Sequence, residues 1–162
     1  MAEGVLGKEF KGVLISDCFL AYDALGYEQS KCALHLLRRC KGLIGSKSGR
    51  AVKFSEEVAE LLRSGIELKG WRGEMSEEGY GLACLRLEAH LDRLLFGEYS
   101  DADNVRFAKL LRKHGEKLLK FLYVEAVDAT NNLAERELRP GVIVRKTNGC
   151  NRIWVGDLVT LL

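Results

Sequence analysis

The sequence predicts an α/β fold that is mostly helical, a small mixed sheet interrupted by one large helical block. Three observations point there. "FKGVLISDCF", residues 10–19, is a short and nearly continuous apolar run rich in β-branched residues, the pattern of a strand buried on both faces. Residues 30–123 repeat their apolar positions at steps of three and four, which is helical spacing. After them "VEAVDAT" and "GVIVRK" return to short extended patterns.

Within the block, "SKCALHLLRRCKGLI" sets Cys32, His35, Leu36 and Leu43 at helical steps, with Ser30 as the expected N-cap. "KSGR" breaks that pattern. "FSEEVAELLRSG" then reads as a second helix, capped by Ser55 and burying Phe54, Val58, Leu61 and Leu62. A third is expected over "EGYGLACLRLEAHLDRLLFG" and a fourth over "DADNVRFAKLLRKHGEKLLKFLY". The stretch "AYDALGYEQ" ahead of the block carries turn residues around Gly26.

Length and composition limit the function classes. A chain of 162 residues fits one domain with a sizeable core, and 47% hydrophobic with 30% charged residues is ordinary for a globular protein. A net charge of only +2 does not by itself announce a nucleic-acid binder, so the distribution of charge has to decide. No apolar run is long enough to span a bilayer, and "MAEGVLGKEFKG" lacks the features of a signal peptide, so no membrane association is expected. Five cysteines without CxxC pairing point to reduced thiols and a cytoplasmic location.

Two carboxylates stand out. Asp17 ends the best strand, and the C-terminal ends of strands in open α/β sheets are where ligands and metals bind. A turn aspartate that merely ends the strand explains it equally well. Glu135 lies in "DATNNLAERELRP", where Asn132 and Glu135 have the spacing of a capping box. That explanation suffices unless Asp17 and Glu135 converge, in which case both can hold one divalent cation through oxygen.

"DATNNLAERELRPGVIVRK" closely resembles the signature of bacterial transposases of the insertion sequence 66 family. "GVLISDCFLAYDAL" followed by "KCALHLLRRCKGL" resembles the same family's upstream segment: strand, aspartate, aromatic turn, then a Cys-x-x-His helix with basic residues. The resemblance implies an RNase H-like core with a DDE triad on a sheet interrupted by helices. Asp17 then matches the second aspartate and Glu135 the final glutamate, with Mg²⁺ or Mn²⁺ held between them. It divides the chain into a strand with Asp17 (10–19), a helical insertion (30–123), a strand and helix with Glu135 (124–146) and a divergent tail (147–162).

The departures shape the expectation. The family's first aspartate lies upstream of the Asp17 strand, and the acids that precede Asp17 here are Glu3 and Glu9. The sequence therefore reads as a truncated transposase domain, a partial RNase H-like fold with an incomplete sheet, short of one carboxylate and inactive alone. The competing reading is a non-catalytic remnant that binds element ends or an intact transposase.

The implied partner is DNA, the terminal inverted repeats of the element, together with self-association or an intact transposase. Arg136, Arg139, Arg145 and Lys146 flank Glu135 and are the expected phosphate contacts. Arg38, Arg39, Lys41, Lys47 and Arg50 form a second basic cluster, read equally well as DNA contacts or as solvated helix faces. Cys32 and His35 share a helix face and permit two zinc ligands, with Cys40, His90 and His114 left to complete a set. A packing role ranks ahead of zinc.

Overall fold

The computed structural model describes residues 10–18 and 22–130. Two strands, β1 (Val13–Ser16) and β2 (Glu28–Lys31), pair in parallel, with Val13 opposite Glu28 and Ser16 opposite Lys31. Four helices follow, α1 (Ala33–Ser46), α2 (Arg50–Gly70), α3 (Glu77–Leu95) and α4 (Ala102–Lys113). A single turn, α5 (Gly115–Leu118), and a 3₁₀ turn at Lys120–Leu122 close the helical part.

β1 is buried along its whole length, with Leu14 and Ile15 almost inaccessible to solvent. That is the reason "VLIS" shows no polar alternation. β2 is a strand where the sequence predicts the end of a turn and a helix cap. "EQSK" carries no apolar signal, yet Gln29, Ser30 and Lys31 are buried. Polar contacts take the place of apolar ones: Gln29 Nε2 donates to the carbonyls of Tyr22 (2.7 Å) and Leu25 (3.2 Å), tying down the connector between the strands. Ser30 is thus a strand residue, and Cys32 occupies the N-cap position of α1.

α2 packs against both α1 and α3 and forms the middle of the helical block. Its buried face includes Phe54, Val58, Leu61 and Leu62, as the periodicity predicts. It begins earlier than expected, at Arg50, because Gly49 turns the chain at φ 61°, a conformation that suits glycine. Ser55 is therefore a buried interior residue and not the cap. Gly65 lets the 3₁₀ turn approach α2: a Cβ there would lie 3.2 Å from Phe121 Cζ.

Local capping fixes the other two helices. Ser76 accepts from Gly79 N–H at the start of α3. Asp101 accepts from the N–H groups of Asp103 and Asn104 at the start of α4, and also pairs with Lys47 at 2.7 Å. That ion pair pins the α1–α2 loop to α4. Both side chains gain from it: Lys47 is held above its ordinary pKa and Asp101 below its own. Phe54 meets the rings of Tyr99 and Phe107 at 4.2 and 5.9 Å.

The expected fourth helix, residues 101–123, breaks at His114 into α4, α5 and the 3₁₀ turn. Residues 124–130 form turns and irregular chain, not the predicted strand. Side chains from α2, α3 and the turn between them hold this return segment by its carbonyls. Tyr80 Oη and Arg72 Nη1 donate to Leu122 O at 2.9 and 3.1 Å. Lys69 Nζ donates to Val124 O (2.8 Å) and Glu125 O (3.0 Å). The helical block thus directs where the chain goes after residue 123.

Candidate functional site

Asp17 follows the last residue of β1 and is half-buried. The backbone around it is fixed by a short relay. Cys32 N–H donates to Ser16 O at 2.8 Å, and the next residue, Ala33, donates its N–H to Ala129 O at 2.9 Å. The segment returning from the helical block therefore reaches the start of α1 beside the strand end that carries Asp17. Val127 and Ala129 are buried there.

Beneath this strand end lies a buried lysine that the sequence reading did not single out. Lys31 is fully inaccessible, and its Nζ donates to Ser16 Oγ (3.1 Å), Asp17 O (3.2 Å) and Gln29 Oε1 (3.2 Å). It also lies 3.6 Å from Asp23 Oδ1. An ammonium has three protons to give, and three oxygens other than Asp23 accept within hydrogen-bond distance. Burial lowers its pKa from the usual lysine value, with the nearby charge of Asp23 opposing.

Asp23 links this lysine to the helical block. Its other oxygen pairs with Lys113 at 2.5 Å, and His114 Nδ1 lies 3.7 Å from Oδ1. Burial pushes the Asp23 carboxyl up, but Lys113, His114 and Lys31 outweigh it and its pKa is lowered. His114 is buried at the end of α4, and its pKa is lowered by burial first and then by Lys31. Its Nε2 is buried without a hydrogen-bond partner among the described residues. Lys120 and Glu28 add a further pair between the 3₁₀ turn and β2.

The other expected site residues divide sharply. Glu135, Arg136, Arg139, Arg145 and Lys146 lie outside the described residues. Cys32 is fully buried in the core, and His35 is half-buried on the first turns of α1. Among the described residues no group of three or more His, Cys, Asp or Glu side chains is placed to hold a metal ion. Burial raises the thiols of Cys18 and Cys40 to about 11, so both are protonated at neutral pH.

Of the first basic cluster, Arg38, Arg39, Lys41 and Arg50 are exposed, while Lys47 is taken up by Asp101 and Asp103. The only hint of the polar cluster in the sequence is the lysine of "EQSKC" next to a buried helix start. Nothing local links it to His114, which folding brings from the far end of α4.

The family model described as Transposase IS66 family matches residues 1–153. The chain belongs to the IS66 transposase family. No curated protein and no solved structure matches the chain. Family membership links this IS66 chain to DNA transposition, and its two parallel strands and dominant helices are compatible with an α/β class. No helix among the described residues is long and apolar enough to cross a membrane.

Proposed function

We propose that the chain serves DNA transposition as the part of a DDE-type, RNase H-like catalytic core that carries two of its carboxylates, Asp17 and Glu135. The observation that carries this reading is the paired hydrogen bonding at the head of α1. Cys32 N–H holds the residue before Asp17, and Ala33 N–H holds Ala129, a few residues ahead of "NNLAER". The chain entering the glutamate motif thus starts from the same corner as Asp17. The helical block between the two motifs acts as a spacer that closes on itself and returns the chain to the sheet end.

The donor chemistry fits a hard cation. Asp17 offers carboxylate oxygen at a strand end, and Lys31 engages the main-chain oxygen of this residue. Asp17 and Glu135 would hold Mg²⁺ or Mn²⁺, which when bound supplies charge neutralisation for phosphoryl transfer at the DNA backbone. Lys31 fixes the backbone of Asp17, and the apolar wall of Leu14 and Ile15 keeps the strand rigid behind it. Arg136, Arg139, Arg145 and Lys146 would bind phosphates beside the glutamate.

Of the three carboxylates that a DDE site uses, this reading assigns two, Asp17 and Glu135, and on it this polypeptide by itself yields no joined product. Strand-transfer assays with terminal-repeat DNA and Mn²⁺ test the claim. The expected result is Mn²⁺ binding that weakens in Asp17→Asn and in Glu135→Gln, with no joined product. An Asp17-dependent product from this polypeptide alone would overturn the incompleteness. Mn²⁺ binding indifferent to both substitutions would overturn the shared site.

A further inference from the structure

Asp23 stands in the connector between β1 and β2 and meets the sheet end and the helical block at once. Its Oδ1 lies 3.6 Å from Lys31 Nζ, and its Oδ2 pairs at 2.5 Å with Nζ of Lys113, the last residue of α4. His114 follows, buried, with Nδ1 3.7 Å from Oδ1. Among the described residues Asp23 is the one carboxylate within ion-pair distance of Lys31.

Lys31 in turn reaches the strand end. Ser16 Oγ, Asp17 O and Gln29 Oε1 accept from it at 3.1, 3.2 and 3.2 Å, which uses its three protons. The contact with Asp23 is therefore one of charge and not a fourth hydrogen bond. A fully buried ammonium is costly without a counter-charge, and Asp23 supplies it from the connector. The connector has little freedom to swing. Gln29 Nε2 holds the carbonyls of Tyr22 and Leu25, on either side of Asp23, at 2.7 and 3.2 Å.

A displacement at the end of α4 thus passes through Asp23 to Lys31, and from Lys31 to the backbone of Asp17. The packing of α4 does not need this link, since Phe107, Ala108 and Leu111 already anchor the helix in the core. What Asp23 adds is the placement of one helix end against one strand end.

We propose that Asp23 is a positioning residue that couples the closure of the helical block to cation binding at Asp17, with Lys113 and Lys31 as the two ends of the link. The coupling rests on the reading of Asp17 as a cation ligand and adds a means of regulating that site: movement of the block changes its affinity for the ion.

The sign of one charge change separates this link from bulk electrostatics. Lys113 is half-exposed, so its substitution leaves the core intact. Removing its positive charge should by Coulomb attraction alone tighten cation binding, whereas loss of the link weakens it. Mn²⁺ binding to the full chain, followed by the electron paramagnetic resonance signal of the free ion, reads the difference. Lys113→Gln should bind about threefold more weakly and Asp23→Asn about tenfold more weakly. Adding Lys113→Gln to Asp23→Asn should cause no further loss, because the lysine acts through the aspartate. Lys109→Gln removes an exposed cation from the same helix and should not weaken binding.

Unaltered or tighter binding in Lys113→Gln would overturn the link, as would additive losses in the double variant. Equal weakening in Gly65→Ala, which loosens the block away from Asp23, would reduce the effect to general stability and overturn the link too. In each of these cases Asp17→Asn would still abolish binding. Mn²⁺ binding indifferent to Asp17→Asn would overturn the cation reading and the link with it. If Asp23→Asn loses its helical circular dichroism, Lys113→Gln and Lys109→Gln decide between them.

Discussion

The sheet end and the helical block are built on opposite principles. In the block, side chains sort by helical period: Phe54, Val58, Leu61, Leu62, Phe107 and Leu111 inside, with charges outside. At the sheet end the buried set is polar, with Ser16, Gln29, Ser30, Lys31 and His114 nearly or fully inaccessible. Apolar burial contributes stability without specifying chemistry, at about 25 cal/mol per Å² removed from water. Buried polar groups cost desolvation unless every partner is present, so they persist where geometry matters. The contrast assigns tolerant apolar packing to the block and exacting polar geometry to the strand end.

Breaking the polar end should have the larger effect. Lys31→Met removes an ammonium that three oxygens and Asp23 depend on, and should lower unfolding stability by about 3 kcal/mol. Urea titration reads this directly; a loss under about 1 kcal/mol would mean that the cluster is only tolerated. Gly65→Ala attacks the apolar block instead. Its Cβ crowds the buried Phe121 ring, and a loss of about 1 kcal/mol is expected after the gain in helix propensity.

The pH dependence separates the regions further. The lowered pKa of His114 means that the unfolded chain binds more protons below the ordinary value of 6.5. Stability from keeping His114 neutral is complete above that pH and is lost as pH falls from it through the lowered folded value. His114→Gln should therefore flatten the stability profile below the ordinary histidine value. A profile identical to that of the parent chain would remove His114 from the cluster's energetics.

The smallest effect is expected at the rim of the block. Asp101, also lowered, supports its contact with Lys47 above the ordinary carboxylate value of 3.8 and loses it on acidification. Asp101→Asn should lower the melting temperature less than Lys31→Met does, and the loss should shrink in high salt.

What could be read from the sequence follows the same division. Apolar period exposes β1, the buried face of α2, the extent of α3 and the start of α4 because those elements meet the core through carbon. β2 is hidden, since "EQSK" is buried through Gln29 and Lys31 hydrogen bonds to groups elsewhere in the chain. The early start of α2 is hidden for another reason: Gly49 sets it by backbone geometry, while Ser55 offers a false cap. The place of Asp17 directly after β1 was legible from the apolar run before it. The meeting of Lys31, Asp23 and His114 was not legible, because it depends on the C-terminal end of α4 reaching the connector between the strands.

The central claim is that Asp17 and Glu135 share one cation. Replacing Mg²⁺ by Fe²⁺ and generating hydroxyl radicals at the bound ion cuts the backbone wherever it approaches the metal. The account predicts cuts at two places in one chain, around residue 17 and around residue 135, both abolished by Asp17→Asn. Cutting confined to one of these segments, or cuts at 135 that persist in Asp17→Asn, would contradict it.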